Sequence, residues 1–98
     1  MSLTVRFRGV ARDEFDAAID WYHESARGGV ADQFEAAVGA AIQAAADAPA
    51  RFPVADGDIR EVAVDGFPYC VYYRVRSEQL IVVGVYHQSR EPSGWNGR

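Results

Sequence analysis

The chain opens on an alternating pattern. Leu3, Val5 and Phe7 are separated by Thr4, Arg6 and Arg8, the two-residue period of a strand with one buried face. Gly9 closes this segment, and from Val10 the period lengthens. Ala11, Phe15, Ala18, Ile19 and Tyr22 recur at helical spacing, with Arg12, Asp13, Asp16 and Asp20 opposite, which predicts an amphipathic helix. Its acidic residues gather toward its start, where they suit the positive end of the helix dipole. Gly28-Gly29 stops it. A second, Ala-rich helix begins near Val30, carries the stripe Phe34, Val38, Ala41, Ile42 and Ala45, and ends at Pro49. The short link between the two predicts an antiparallel helical hairpin, and the small Ala side chains allow close approach.

After a loop over residues 50–57 the period returns to two. Residues 59–64 place Arg60, Val62 and Val64 on one side and Ile59, Glu61 and Ala63 on the other. Asp65-Gly66-Phe67-Pro68 is a turn. Residues 69–75 put Tyr69, Val71, Tyr73 and Val75 on one face, with Cys70, Tyr72, Arg74 and Arg76 on the other. A Ser77-Glu78-Gln79 turn leads to residues 80–87, which are apolar on both faces and are therefore expected at the centre of the sheet. Hairpin connections make these last strands an antiparallel meander. The expectation is an α+β fold of order β-α-α-β-β-β, a single domain over residues 1–98, with the helical hairpin packed on one face of an antiparallel sheet. Phe15, Ile19, Phe34, Val38, Ile42, Val71 and Tyr73 are the expected core. The face bearing Cys70, Tyr72 and Arg74 is the candidate working surface.

Charge refines this picture. The 98 residues carry a net charge of −4, which argues against bulk, non-specific nucleic-acid binding. All of the basic residues are Arg, a planar donor fork suited to phosphate or carboxylate but poor at proton transfer. The acidity belongs to the helical half, which leaves room for a local basic patch on the strand-rich half. No apolar run approaches the roughly 20 residues that cross a bilayer. With one cysteine and no secretory leader pattern at the N-terminus, a cytoplasmic protein is expected. Two histidines without HxH, HxxxH or CxxC spacing give no metal site, and no Gly-rich phosphate loop is present, so no cofactor is expected. Cys70 has no base beside it in sequence and reads as a small buried hydrophobe. His23 lies late in the first helix, where a surface or dipole role suits it.

Several fragments resemble one family. They are Arg60-x6-Phe67-Pro68-Tyr69-x3-Tyr73-x-Val75, then Val85-x-His87-x2-Arg90-x-Pro92, together with the helix pair bearing Tyr22 and Phe34 and the Pro49…Phe52-Pro53 break. In this order they resemble the RelE/ParE superfamily of bacterial toxins from type II toxin–antitoxin systems, over nearly the whole chain. The resemblance implies a growth-inhibiting toxin, of the kind encoded by plasmid stabilisation systems, in a hetero-oligomer with a cognate antitoxin. It also implies one of two actions. ParE-like members inhibit DNA gyrase by binding it, and RelE-like members cut messenger RNA in the ribosome. The Phe-Pro-Tyr turn and the His-x2-Arg-x-Pro ending look more like the ParE side. Cys70 stands where the nuclease branch typically has a basic residue, and the strand holding Arg60 has no second one.

The two actions ask different things of the same residues. As a nuclease the chain would use His87, the residue near the family site with an ordinary pKa near neutrality, for proton transfer, with Arg60, Arg74 and Arg90 holding phosphate. As a binder it would use Arg60, Tyr72, Arg74, Arg90 and Trp95 against a protein partner. Plainer roles stand beside both: His87 ending a strand, the arginines as solvated charges, Trp95 packing the tail on the sheet. A degenerate toxin that binds only its antitoxin also fits. A small dimeric α+β barrel does not fit well, because the Gly28-Gly29 link leaves no room for the strand it needs.

Overall fold

The computed structural model describes residues 2–88. Its elements run β1 (Thr4–Phe7), α1 (Gly9–Ser25), α2 (Val30–Asp47), β2 (Val54–Asp56), β3 (Ile59–Ala63), β4 (Tyr69–Arg76) and β5 (Gln79–His87). Both helices fall where the apolar stripes place them. Gly29, at φ 84°, takes the left-handed conformation that lets the chain turn between them within a few residues. Ala11, Phe15, Ala18 and Tyr22 of α1 and Phe34, Val38, Ala41, Ile42 and Ala45 of α2 are buried against Val62, Val71, Tyr73, Leu80, Val82 and Val85 of the sheet. The expected core therefore forms, with Ile19 packed at its margin rather than inside it.

The sheet differs from expectation in three ways. It has five strands in the order β1-β5-β4-β3-β2, so β4 is central and β5 lies between β4 and β1. It is mixed, because β1 pairs with β5 in parallel, Thr4 opposite Gln79 and Phe7 opposite Val82. The helical hairpin carries the chain from one side of the sheet to the other. The meander then works back strand by strand, and the last strand arrives beside the first in the same direction. The third difference is β2, which lies within the segment expected to be a loop. It is only three residues long and exposed throughout, too short for an apolar rhythm to show. It pairs with β3 through Val54 and Arg60, and through Asp56 and Ile59.

The acidic residues of α1 also serve a different purpose. None lies in the first turn of that helix, and Arg8 precedes it without a side-chain cap. Instead Glu14 accepts a hydrogen bond from the Val85 backbone N–H at 3.2 Å. β1 stops at Phe7, opposite Val82, so the Val85 amide has no strand neighbour on that side, and α1 supplies a carboxylate in its place. Next to it the register of β4 and β5 slips between Tyr72 and Tyr73. Tyr73 faces Val82 and Tyr72 faces Gly84, which leaves Val83 as the extra residue of a bulge. The bulge explains why β5 looks apolar on both faces. Val82 and Val85 face the helices, while Val83 and Tyr86 join Ile59 and Tyr72 in a second cluster on the opposite face.

Candidate functional site

The two faces of the sheet divide the candidate residues between them. Arg60 and His87 lie on the helix-covered face. Arg60 follows the side of Val62 and pairs across strands with Tyr73. His87 ends β5 opposite Tyr69, and its ring meets the Tyr69 ring edge-on at 5.1 Å between centroids. Tyr69 in turn packs against Phe34 at 4.9 Å, so the His87 ring continues an aromatic stack that starts in the core. Tyr72 and Arg74 lie on the open face. Arg90 and Trp95 lie outside the described residues.

Within one face the separation is also large. His87 sits opposite Tyr69, whereas Arg60 sits opposite Tyr73. Four residues along β4 at about 3.3 Å each, and two strand spacings of about 4.8 Å, put their backbones roughly 16 Å apart. Arg74 is one residue further along β4 and points to the other side. His87, Arg60 and Arg74 are thus not gathered around one point where a phosphodiester could sit.

Each arginine has its own occupation. The Arg60 Nη1 donates to the Phe52 carbonyl at 2.6 Å, and the neighbouring Tyr73 hydroxyl donates to the Pro49 carbonyl at 2.6 Å. Two side chains from adjacent strands thereby pin the loop between α2 and β2 to the sheet. Tyr73 is fully buried, and burial raises its phenol pKa against the opposing influence of Arg60. On the open face Arg74 meets Asp58 at 3.4 Å, and Arg76 pairs with the other oxygen of the same carboxylate. That contact with Arg76 is the main reason the Asp58 carboxyl titrates lower than usual. Tyr72 is buried between Glu61 and Cys70, its pKa raised first by desolvation and then by those two neighbours. Burial also pushes the Cys70 thiol up, with the Gln88 amide 3.9 Å from its sulfur. Burial of this kind lowers the thiolate fraction and with it the nucleophilicity of the thiol.

Asp58 and Glu61 were not signalled as site residues by the sequence, and Phe52 entered only as part of the Phe52-Pro53 break. Asp58 reads as a turn residue, and only the β3–β4 register brings it to Arg74. Phe52 reads as a loop aromatic. In the fold it lines two adjoining hollows along the outer side of β3, both of which also include Val62 and Ala63. One, of about 480 Å³, is completed by Pro53, Glu61 and Cys70. The other, of about 380 Å³, reaches the Ala37, Ala40, Ala41 and Ala44 side of α2, and Arg51 and Asp65 also line it. Because β2 engages β3 only as far as Glu61, whose N–H donates to the Pro53 carbonyl, no strand lies outside Val62 and Ala63 among the described residues. The result is a shallow apolar groove floored by small side chains and bordered by an open strand edge. Among the described residues no group of three or more His, Cys, Asp or Glu could hold a metal ion. No helix among them is long and apolar enough to cross a membrane.

Comparison with known proteins places this geometry. The model of the family described as the ParE toxin of the type II toxin–antitoxin system parDE matches residues 5–92. Among solved structures the fold is similar to a chain of a chromosomal ParDE toxin–antitoxin system from P. aeruginosa, with a TM-score of 0.76 over 88% of this chain and 96% of that one. Sequence identity to that chain is 12%, so the likeness is one of fold. No curated protein matches the sequence.

Proposed function

The chain belongs to the ParE toxin family of type II toxin–antitoxin systems, and from that premise we propose that it inhibits growth by binding a protein target such as DNA gyrase, and is neutralised by a cognate antitoxin. The observation that carries the choice of binder over nuclease is the dispersal of His87, Arg60 and Arg74. Ribonucleolytic cleavage needs a proton-transfer group and cations converging on one phosphate. Here His87 continues the core aromatic stack, Arg60 ties down a loop, and Arg74 sits on the opposite face beside Asp58.

The groove between α2 and the outer side of β3 suits the antitoxin. The alanines of α2 make it shallow enough for a helix or an extended segment, and the open backbone of β3 offers main-chain hydrogen bonds. Phe52 supplies the apolar anchor, on a loop held in place by Arg60 at its own carbonyl and by Tyr73 at the Pro49 carbonyl. A specific complex of this kind buries at least about 1,000 Å² in all.

The test is co-expression with the protein encoded by the neighbouring gene, followed by co-purification and a growth assay. Joint elution and restored growth are expected, and two separate elution peaks would count against the proposal. Ala40 is exposed on α2 at the groove. Ala40→Arg should leave stability within about 0.5 kcal/mol while weakening the complex roughly tenfold or more by filling the groove.

A further inference from the structure

The parallel pairing of β1 with β5 has an electrostatic result on the open face, far from the groove along β3. Arg6 is opposite Ile81 on β5, and Ile81 is opposite Arg74 on β4, so the three form one cross-strand row. Arg76 lies on the same face to one side of that row, level with Gln79 and Thr4, and Arg8 lies to the other side, two residues beyond Arg6. Arg74 and Arg76 share the Asp58 carboxylate. Arg6 and Arg8 are exposed and have no ion-pair partner among the described residues. A chain of net charge −4 therefore sets four arginines on the β1 side of one sheet face, two of them on β1 itself and two sharing Asp58. The same two arginines flank a hollow of about 410 Å³ completed by Phe7, Gly9, Val10 and Ile81. β1 is the end strand of the sheet, and no strand lies beyond it among the described residues.

We propose that the free edge of β1, with Arg6, Arg8 and the Arg74 row, is a second docking surface, which takes an extended acidic segment of a partner protein. The edge explains why the segment is extended. The Arg8 N–H donates to the Val82 carbonyl, so by alternation the Val5 and Phe7 backbone groups point outward, where an added strand would pair. Such a strand sets every second side chain on the open face, about 6.6 Å apart, the same repeat that separates Arg6 from Arg8. Carboxylates at those positions face guanidiniums directly, an arrangement that favours pairing between neighbouring strands. The intervening side chains fall on the face of Val5, which is 37% exposed. A protein segment fits better than a nucleic acid: Asp58 sits among the arginines, where it would oppose a continuous run of phosphates, and Ile81 and Val10 offer apolar contact.

The surface can be tested without antitoxin, target or growth phenotype. A fluorescent peptide of alternating Val and Glu is titrated into the purified chain and followed by anisotropy, beside its Val–Lys counterpart and a mixed-sequence single-stranded oligonucleotide. The Val–Glu peptide should bind, and the Val–Lys peptide should not. The double substitution Arg6→Ala/Arg8→Ala should weaken binding roughly tenfold or more, and Arg27→Ala, in the link between the helices, should leave it unchanged. Val5→Pro removes an outward N–H while sparing the pairing with β5, and should weaken binding as well; melting curves confirm that each variant is folded. Absence of peptide binding, indifference to the arginine pair, or indifference to Val5→Pro would overturn the proposal. Tighter binding of the oligonucleotide with the same arginine dependence would replace it with a nucleic-acid site.

Discussion

Arg60 and Tyr73 show how a side chain that invites a functional reading can serve the scaffold. Both use their polar ends on main-chain carbonyls of the segment that follows α2, Phe52 and Pro49 respectively. Tyr73→Phe keeps the buried ring and removes only the bond to Pro49. It should cost about 1–2 kcal/mol in denaturant unfolding, because the carbonyl loses its donor in a partly buried place. Hydrogen exchange should quicken over residues 48–53 and not in the helices; uniform loosening would show that the hydroxyl does not act locally. Burial also raises the phenol pKa values of Tyr22, Tyr72 and Tyr73 above the ordinary 10.0. The folded state therefore holds protons that the unfolded chain gives up at about pH 10. The stability they contribute is complete below that value and declines as pH rises through the higher folded-state values. Unfolding midpoints measured upward from about pH 8 should begin to fall near pH 9, where the unfolded Cys70 thiol gives up its proton, and fall more steeply beyond about pH 10. A midpoint level throughout would place these rings in water.

At the scale of elements, the hairpin between β4 and β5 carries stored cost. Arg76 faces Gln79, so Ser77 and Glu78 alone make the turn, at φ 51° and 62°. That is the tight turn whose handedness matches strand twist, and it normally selects Asn-Gly. Ser77→Asn with Glu78→Gly should raise stability by roughly 1 kcal/mol, since left-handed backbone costs residues with a Cβ about 1–2 kcal/mol each; a lower melting temperature would contradict this. The elements themselves were largely legible. The stripes of α1 and α2 and the alternation of β3 and β4 predict the core, because burial on one face leaves a period in the sequence. Three features left no such trace. β2 is too short and too exposed for a period. The parallel placement of β1 depends on where the meander ends, which no local pattern encodes. The bulge at Val83 and Gly84 is visible only as an unbroken apolar run, which reads equally well as a central strand. The candidate site was less legible for the same reason. Which face a residue occupies follows from its strand, but how far Arg60 lies from His87 follows from register, and register is a property of pairs of strands.

For the whole molecule, the fold separates its surfaces by sheet edge. The groove along β3 is apolar and shallow, the β1 edge is basic, and the helices carry most of the acidic residues, Glu14 among them turned inward to the Val85 amide. On the proposals above such a family member meets proteins at two places, and its described residues hold no convergent set of groups for cutting a phosphodiester. The measurement that tests this most directly is a pair of assays on the purified chain: plasmid supercoiling by gyrase, and messenger RNA integrity in a translating extract. Loss of supercoiling with intact messenger RNA is expected, and His87→Ala should leave that inhibition in place. Codon-positioned cleavage with normal supercoiling, reduced roughly 10²–10⁴-fold by His87→Ala as for a residue of general acid–base catalysis, would contradict the account.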